Sequence, residues 1–416
     1  MDKKVVFLSR SDLRGGAAIV TYRLMTAMRE LGVDARMLVC EKLSDSPYVE
    51  YCASRLRIEY SFLKERLNVF LHNGLDRSTL FKIDPATDGL PVWNHPWVKE
   101  ADAIFIGWVN QGMVSLQGIE KLSGLGKPLL WVMHDMWNMT GICHHAGDCR
   151  RYEAECGECP LLGKRGGDGD MSHMTWERKK TLYSKCGIRF VAVSSWLAGK
   201  ASGSSLLRDR DITVIPNPFP IPETETHRRG RNAGDPVRII FGAARLDDPI
   251  KGLPVLKEAL KTLKERYPKE ASNMELITFG TFKNPESGED FAITHRHLGV
   301  LSGEDAIRKA YEGCDIVVSS SDFETLPGTL IEGQAYGCIP VAFDHGGQCD
   351  IIAHEETGWL ATWDDNPGKR GERLAEGIAW AYRHAGDAEL TERMCRSVED
   401  KFGAESVARR MLALVK

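Results

Sequence analysis

The chain has 416 residues, more than one hydrophobic core usually serves, so two large domains are the natural expectation. Its 54 Lys and Arg against 58 Asp and Glu give a net charge of −4, which excludes a generally basic nucleic-acid binder and predicts no nucleic-acid partner. A hydrophobic content of 43% excludes a disordered chain.

Neither a membrane span nor a secretion signal is predicted. The longest uncharged stretch, residues 103–119, contains polar side chains and glycines that lipid would not hold. After Lys3 and Lys4 the apolar run covers only residues 5–8, too short for a signal peptide. We therefore expect a cytoplasmic protein, in which the eleven cysteines are thiols rather than a disulfide framework.

The first half of the chain alternates strands with helices. Buried strands are predicted at residues 5–8, 36–40, 103–107, 128–134 and 189–194. A turn at 11–16 leads from the first strand into a helix over 17–31 that stops at Gly32. This alternation predicts a parallel sheet covered by helices.

Residues 55–81 form an insertion between the first strands. Their apolar residues recur at helical intervals: Leu56, Phe62, Leu63, Leu67, Phe70 and Leu71. The pattern predicts a helix or helical hairpin packed on the domain. A weak peripheral membrane contact, for a lipid-linked substrate, is the alternative.

The pattern pauses and then restarts. Three prolines within 214–220 and a polar, basic stretch to Asp235 predict a linker. Strands are then predicted at 237–242, 275–280, 315–319 and 338–343, with helices at 253–266, 305–312 and 330–336. Ligands bind at the carboxyl ends of such strands, so two facing sheets predict a cleft between two α/β domains.

Arg245 and Lys251 stand on one predicted β–α loop. Two cations at this spacing can converge on one anion, and each contributes roughly 1–4 kcal/mol at about 4 Å, which suits a diphosphate. Taken alone, the pair is better explained as two solvated surface cations.

Glu324 and Glu332 flank another loop-to-helix junction, at Gly328, Thr329 and Leu330. Unpaired N–H groups at a helix start favour an anion. A carboxylate such as Glu332 can accept two hydrogen bonds from a ribose diol, and Glu324 can bind hydroxyls of a sugar. Either glutamate alone is equally well a surface carboxylate, but with the two cations they describe a nucleotide-diphosphate-sugar pocket.

These residues resemble the donor domain of a known family, the retaining GT-B glycosyltransferases of family 4. The motifs that carry the resemblance are Arg245 with Lys251-Gly252, Glu324 and Glu332 separated by seven residues, the segment 335–341, Gly346-Gly347 and the crossing at 214–217. Gly333 departs from the pattern, because the family usually has alanine there. A glycine inside a helix costs up to about 1 kcal/mol.

The resemblance implies an α/β fold of GT-B architecture, with two Rossmann-like domains facing across a cleft. The N-terminal, acceptor-side domain covers residues 1–217, and a C-terminal helix at 400–416 packs back on it. The donor-binding domain covers residues 218–399.

The implied activity is a retaining transfer, of hexosyltransferase type, from a nucleotide-diphosphate-sugar to a glycan or lipid-linked acceptor, in cell-surface polysaccharide synthesis. UDP is the default nucleotide, and no divalent metal is expected at the diphosphate. The enzyme is expected to act in the cytoplasm or at the inner face of the membrane. A nucleotide-sugar 2-epimerase of the same architecture and a non-catalytic nucleotide-sugar binding protein are the alternatives.

The first half fits the same family. Gly15-Gly16 follows the first strand and resembles the family's glycine-rich loop, where the backbone approaches the donor phosphate or the acceptor. His134 ends a strand, where it is either a buried structural histidine or, as the resemblance implies, the active-site histidine beside the donor sugar.

Four cysteines follow His134 within seventeen residues: Cys143, Cys149, Cys156 and Cys159. Four thiols that end in a C-x-x-C knuckle fit a tetrahedral structural zinc site. Free thiols, an iron–sulfur cluster and a redox pair are the alternatives. A subset of the family has a similar cysteine-rich segment.

Overall fold

The computed structural model describes residues 3–222 and 234–415. It divides the chain into two compact units: unit 1 is Met1–Pro218 with Ala404–Lys416, and unit 2 is Phe219–Gly403. The division falls one residue after the predicted boundary, and the returning C-terminal segment begins at 404 rather than 400.

Unit 1 contains a seven-stranded, wholly parallel sheet in the order β3-β2-β1-β4-β5-β6-β7. The strands are β1 (Lys4–Ser11), β2 (Asp34–Glu41), β3 (Val49–Tyr51), β4 (Ala103–Ile106), β5 (Leu129–Met133), β6 (Ile188–Ala192) and β7 (Ile212–Val214). The central strands are short apolar runs because helices cover both faces of the sheet. Val5, Phe7 and Leu8 of β1 are almost fully buried.

The helices of unit 1 fill the crossovers between these strands. They are α1 (Gly16–Glu30), α2 (Arg55–His72), α3 (Pro96–Glu100), α4 (Leu116–Ser123), α5 (Met171–Lys185) and α6 (Ser195–Gly203). The helix formed by Ala404–Ala413, which becomes α14 in chain order, packs against α1. Lys3 Nζ fixes its end by donating to the Val415 carbonyl, 2.9 Å away.

Unit 2 contains a six-stranded parallel sheet in the order β10-β9-β8-β11-β12-β13. Its strands are β8 (Val237–Arg245), β9 (Met274–Thr281), β10 (Thr294–His297), β11 (Ile316–Val318), β12 (Ile339–Phe343) and β13 (Trp359–Ala361). Its helices are α7 (Leu253–Arg266), α8 (Pro268–Ala271), α9 (Glu304–Glu312), α10 (Gly328–Ala335), α11 (Gln348–Ile351), α12 (Pro367–His384) and α13 (Ala388–Phe402). The apolar faces of α7 and α12 pack together on this sheet.

Each sheet has one point where the strand order reverses. In unit 1 it lies between β1 and β4, and in unit 2 between β8 and β11. Crossovers leave in opposite directions from that point, so the loops at the carboxyl ends of the two strands leave room for a ligand.

The linker expectation was wrong at its start. Residues 212–214 pair with β6 as the edge strand β7, and Ile215 and Phe219 are each only 3% exposed. Of the three prolines, Pro218 is buried, Pro216 is partly exposed and Pro220 is exposed. The rest of the predicted linker includes residues 223–233, which lie outside the described residues.

In the described part of the chain, no helix combines the length and the apolar character needed to cross a bilayer.

Candidate functional site

Unit 1 has a cavity of about 890 Å³ at the carboxyl ends of its central strands. Its lining includes the predicted residues Gly15, Gly16 and His134. Trp108, from the loop after β4, and Gln111 complete the side nearest the reversal of strand order. The cavity thus occupies the position in which parallel α/β sheets bind their ligands.

The glycine turn opens a helix end towards this cavity. Gly15 has φ +91, a conformation that favours glycine, and α1 begins at the next residue. The first turn of α1 has no acidic residue and no side-chain cap. Its exposed N–H groups and the helix dipole therefore favour a negative or hydroxyl-rich ligand.

His134 and Asp135 follow β5 and line the same cavity. Burial lowers the pKa of His134 to about 4, so its imidazole is neutral at pH 7. The Asp135 carboxylate accepts from Trp108 Nε1 at 2.9 Å and lies 2.8 Å from His144 Nδ1. Burial acts to raise the pKa of Asp135, but His144 and the hydrogen bonds outweigh it and lower that pKa to about 2.

Asp135 lines the cavity, but the sequence alone did not identify it as a site residue. The only signal was its place directly after His134. The structure shows that its carboxylate orients Trp108 and His144 at the cavity wall.

The cavity wall carries an excess of basic side chains. These are Arg10, Arg14, Lys42, Arg55 and His145, against Glu41, Glu59 and Asp135. Glu41 already pairs with Arg14 at 2.9 Å. The remaining charge favours an anionic or phosphate-bearing occupant.

The insertion predicted as a packed element is one helix, α2, and its packing differs from the expectation. The face turned to unit 1 buries Ile58 and Val69 together with the ion pair Arg66–Asp84 at 2.5 Å. The leucines that predicted packing lie on the opposite face. With Tyr60, the exposed apolar residues of α2 are Leu56, Leu63, Leu67 and Leu71, each more than half exposed.

In unit 2, the two predicted cations each have an acidic partner. Arg245, at the end of β8, donates to Asp248 at 2.5 Å and keeps 42% of its side chain exposed. Lys251 forms an ion pair with Glu324, and the Ser321 hydroxyl also donates to that carboxylate at 3.0 Å. The structure thus brings Lys251 and Glu324 together.

The loops that hold this pair are joined through the backbone. Ser320 Oγ donates to the Lys251 carbonyl at 2.9 Å, and the Asp322 N–H donates to Ile250 at the same distance. Gly252 has φ +66, and a Cβ there would lie 1.9 Å from the Ser320 carbonyl oxygen. Only glycine therefore permits the approach that places Lys251.

Gly346 and Gly347, in the loop after β12, pack against the loop that carries Glu324. The Gly347 N–H donates to the Glu324 carbonyl at 2.7 Å, and a Cβ on Gly347 would lie 2.1 Å from the Thr325 carbonyl oxygen. A Cβ on Gly346 would lie 2.8 Å from the Glu324 carbonyl oxygen. The family-like glycine pair thus positions the backbone of Glu324.

The start of α10 is only partly open. The Leu330 N–H already donates to the Pro327 carbonyl at 3.2 Å, whereas α10 has no side-chain cap and no acidic residue in its first turn. Gly328 and Thr329 are partly exposed there, while the Leu330 side chain is fully buried. Of the three predicted backbone donors, Leu330 is thus the one with a partner inside the fold.

Glu332 lies within α10 and is partly exposed. Its neighbour Gly333 packs on β11, where a Cβ would lie 2.7 Å from Val317 Cγ1. The glycine that departs from the family pattern therefore has a packing reason.

All eleven cysteines fall within the described residues, and none of them forms a disulfide. The four that were predicted to bind zinc line one small cavity beside α5.

Comparison with known families gives one match. Residues 223–396 match the family described as glycosyl transferases group 1. The matched segment covers almost all of unit 2, including Arg245, Lys251, Glu324 and Glu332.

Two curated relatives are similar to parts of the chain. One is the uncharacterized glycosyltransferase MJ1607 of Methanocaldococcus jannaschii, 26% identical over 45% of this chain and 47% of that protein. The other is WcaC of Escherichia coli K12, provisionally assigned as a colanic acid biosynthesis glycosyl transferase, 24% identical over 55% of each chain. The chain spans about half the length of these relatives.

The fold of the whole chain is similar to solved structures. The HepE protein of Anabaena, solved with UDP and glucose, matches with a TM-score of 0.57 at 15% identity, over 99% of this chain and 98% of that one. The predicted α/β fold, with two domains that each contain a parallel sheet, is thereby confirmed.

Proposed function

Because residues 223–396 carry a glycosyl transferases group 1 domain, we propose that this chain moves a hexosyl unit from a nucleotide-diphosphate-sugar to a glycan or lipid-linked acceptor, with retention of configuration. The observation that carries the proposal is the meeting of Lys251, Glu324 and Gly347 on three loops of unit 2. These loops follow β8, β11 and β12, beside the reversal of strand order where such sheets bind nucleotides.

Arg245 and Lys251 are proposed to bind the diphosphate. Each now pairs with a carboxylate, Asp248 or Glu324, which the diphosphate would displace. Negative charge grows on the leaving diphosphate in the transition state, and cations already in place stabilise it. Two cations and the open start of α10 supply positive charge, so we propose no divalent metal at the diphosphate.

The two glutamates are assigned different ligands. Glu324, released from Lys251 when the diphosphate binds, would accept hydroxyls of the donor sugar. Glu332, partly exposed on α10, would accept both hydroxyls of the ribose. In a retaining transfer of this kind the acceptor attacks from the side that the leaving phosphate vacates, and the phosphate oxygen takes the acceptor proton.

The cavity of unit 1 is proposed to hold the acceptor. Its basic wall suits an acceptor that carries phosphate or carboxylate groups. His134 would hydrogen-bond the reacting sugar as a neutral imidazole, since its low pKa makes it a poor proton donor at pH 7. The Gly15-Gly16 turn would offer backbone N–H groups at the start of α1.

Two comparisons guide the choice of substrates. The HepE structure contains UDP and glucose, so UDP-hexoses are the first donors to test. WcaC is assigned to colanic acid synthesis, which supports a growing cell-surface polysaccharide as acceptor.

We further propose that α2 rests on a membrane surface, at its cytoplasmic face, when the acceptor is lipid-linked. Its exposed apolar residues recur every three or four positions, and the exposed cations Arg57 and Lys64 directly follow Leu56 and Leu63 in the sequence. This combination is typical of helices that lie in the headgroup region of anionic membranes. The opposite face of α2 contributes Arg55, Ile58 and Phe62 to the cavity, which would place the cavity near a lipid-linked acceptor.

The proposal is tested by product analysis. The chain is incubated with a panel of UDP-, GDP- and ADP-sugars, with and without a lipid-linked oligosaccharide fraction. Sugar transferred to the acceptor, with release of the nucleoside diphosphate, supports the proposal. Conversion of the nucleotide-sugar without acceptor would indicate an epimerase. Binding without any transfer or donor hydrolysis would indicate a binding protein.

A further inference from the structure

Four thiols of unit 1 surround a single small cavity. Cys143, Cys149, Cys156 and Cys159 all line a space of about 20 Å³ between the loop after β5 and the start of α5. A space of about 10–15 Å³ is enough for one water molecule, so this one admits a single small occupant. The lining contains no carboxylate and no imidazole, and sulfur therefore dominates the chemistry of the space.

The loop that carries these thiols is fixed at both ends. Cys143 forms an antiparallel bridge with Ile83. The Cys159 N–H donates at 2.7 Å to Asp170, whose carboxylate also caps α5 through the Ser172 N–H. The four sulfurs are thus presented from an anchored backbone.

Burial raises the pKa of the Cys156 and Cys159 thiols, and backbone donors oppose this shift. The Gly141 N–H donates to Cys156 Sγ at 3.1 Å, and the Leu161 N–H hydrogen-bonds the Cys159 sulfur. Hydrogen bonds of this kind stabilise sulfur in its thiolate form and orient it towards a metal. Gly141 must be glycine, because a Cβ there would lie 2.4 Å from the Ser172 carbonyl oxygen.

The knuckle between the last two cysteines holds an unusual backbone. Glu158 has φ +43, a left-handed conformation that a residue with a side chain adopts at a cost of about 1–2 kcal/mol. Such a conformation persists where the surroundings require it. Here it folds the segment so that Cys156 and Cys159 both face the cavity.

A buried cation stands beside the thiols. Lys179 of α5 is fully buried, and its Nζ donates to the carbonyls of Trp137 at 2.5 Å and Thr140 at 3.0 Å. Burial lowers the pKa of the Lys179 ammonium group to about 7, and negative charge on Cys156 and Cys143 would act in the opposite direction. A buried ammonium group is costly unless negative charge lies near it, and four thiolates around a divalent ion carry a net charge of −2.

We propose that Cys143, Cys149, Cys156 and Cys159 bind one Zn²⁺ in a closed tetrahedral site that holds the loop following His134. On binding, four S–H bonds are replaced by four Zn–S bonds and the protons pass to solvent, so no oxidant or reductant is needed. A closed four-sulfur site leaves no open position for catalysis and is structural.

Binding requires a contraction of the site. Among residues 3–222 and 234–415, no three of these sulfurs lie mutually within 4.8 Å. A tetrahedral site with Zn–S bonds of about 2.3 Å needs sulfurs about 3.8 Å apart. The proposal therefore includes a movement of the four cysteines towards one another when the ion binds.

The test is elemental analysis of the full chain, purified under reducing conditions without added metal. We expect about one zinc per chain and no stoichiometric iron. Cys149→Ser and Cys156→Ser should each lose most of the zinc, whereas Cys186→Ser and Cys349→Ser, outside the cavity, should retain it. A folded wild-type chain without zinc would overturn the proposal, and so would zinc retained by both cavity variants.

A second measurement covers variants that fail to fold. The wild-type chain is treated with a mercurial thiol reagent in the presence of a zinc-sensitive dye. Zinc should leave in proportion to the modification of four thiols, and substitution by Co²⁺ should give the charge-transfer absorption of cobalt–thiolate bonds. Zinc that leaves before thiols react, or cobalt without thiolate bands, contradicts the site. Neither readout uses sugar transfer, so this proposal can fail while the proposed function stands.

Discussion

Replacing Lys251 by alanine tests the proposed diphosphate site most sharply. The side chain is 29% exposed and its partner Glu324 is 20% exposed, so the medium around the pair is neither bulk water nor dry protein. A unit charge at about 4 Å contributes about 1 kcal/mol in water and about 4 kcal/mol at an effective dielectric constant of about 20. We therefore expect Lys251→Ala to lose about 2–4 kcal/mol of transition-state stabilisation, a fall in kcat/KM of about 30- to 1,000-fold.

The assay is initial-rate release of the nucleoside diphosphate from the donor that the product analysis identifies. Lys251→Arg keeps the charge and should recover part of the rate. Lys264→Ala removes an exposed cation from the same unit, on α7, and should leave the rate unchanged. Because the partly exposed pair contributes little to stability, Lys251→Ala should unfold near the wild-type temperature. A folded Lys251→Ala variant with wild-type kcat/KM would refute the assignment.

Three further predictions concern stability and surfaces. Burial, with the nearby Asp84 charge, raises the pKa of Glu65 to about 7. The free energy of unfolding should therefore fall by up to about 3 kcal/mol as the pH rises from about 4.5 to 7. Glu65→Gln should reduce this pH dependence in denaturant titrations. Gly347→Ala should lower donor turnover more than global stability, because the added Cβ displaces the Thr325 backbone beside the site, and calorimetry with kinetics separates the two effects. The double change Leu63→Glu with Leu67→Glu should abolish co-sedimentation with anionic vesicles while activity on a water-soluble acceptor persists; unchanged sedimentation would contradict the membrane proposal.

Much of the fold was predictable because parallel sheets have a strong sequence signature. Central strands such as β1 and β12 are short apolar runs, and α7 follows a glycine with a proline in its first turn. The edge strands β3, β7, β10 and β13 were missed. Each has only three or four residues, too few for a periodic pattern to distinguish it from a loop.

The orientation of α2 was not predictable from its periodicity. Sequence spacing shows that apolar residues share a face, but it does not show which face the protein covers. Here the covered face includes Glu65, which is hydrogen-bonded by Thr87, and Arg66, which pairs with Asp84, while the leucines face outward. Buried charges at such positions depend on tertiary partners that lie outside the helix.

The candidate site likewise contains some residues that the sequence predicted and some roles that only the structure shows. Lys251, Glu324, Gly15 and His134 were predictable because their residue types sit at the carboxyl ends of predicted strands. The role of Gly347 as a support for the Glu324 backbone became visible only when the loops were placed together.

The central claim is that unit 2 binds a nucleoside diphosphate through Arg245 and Lys251. Thermal unfolding of the chain with UDP, GDP and ADP tests this most directly, since a ligand at about 100 times its Kd adds about 2.7 kcal/mol of stability. We predict that one of the three raises the unfolding temperature of the wild type and fails to do so in the Arg245→Ala, Lys251→Ala double variant. The account is contradicted if none of the three shifts the wild type, or if the double variant shifts equally.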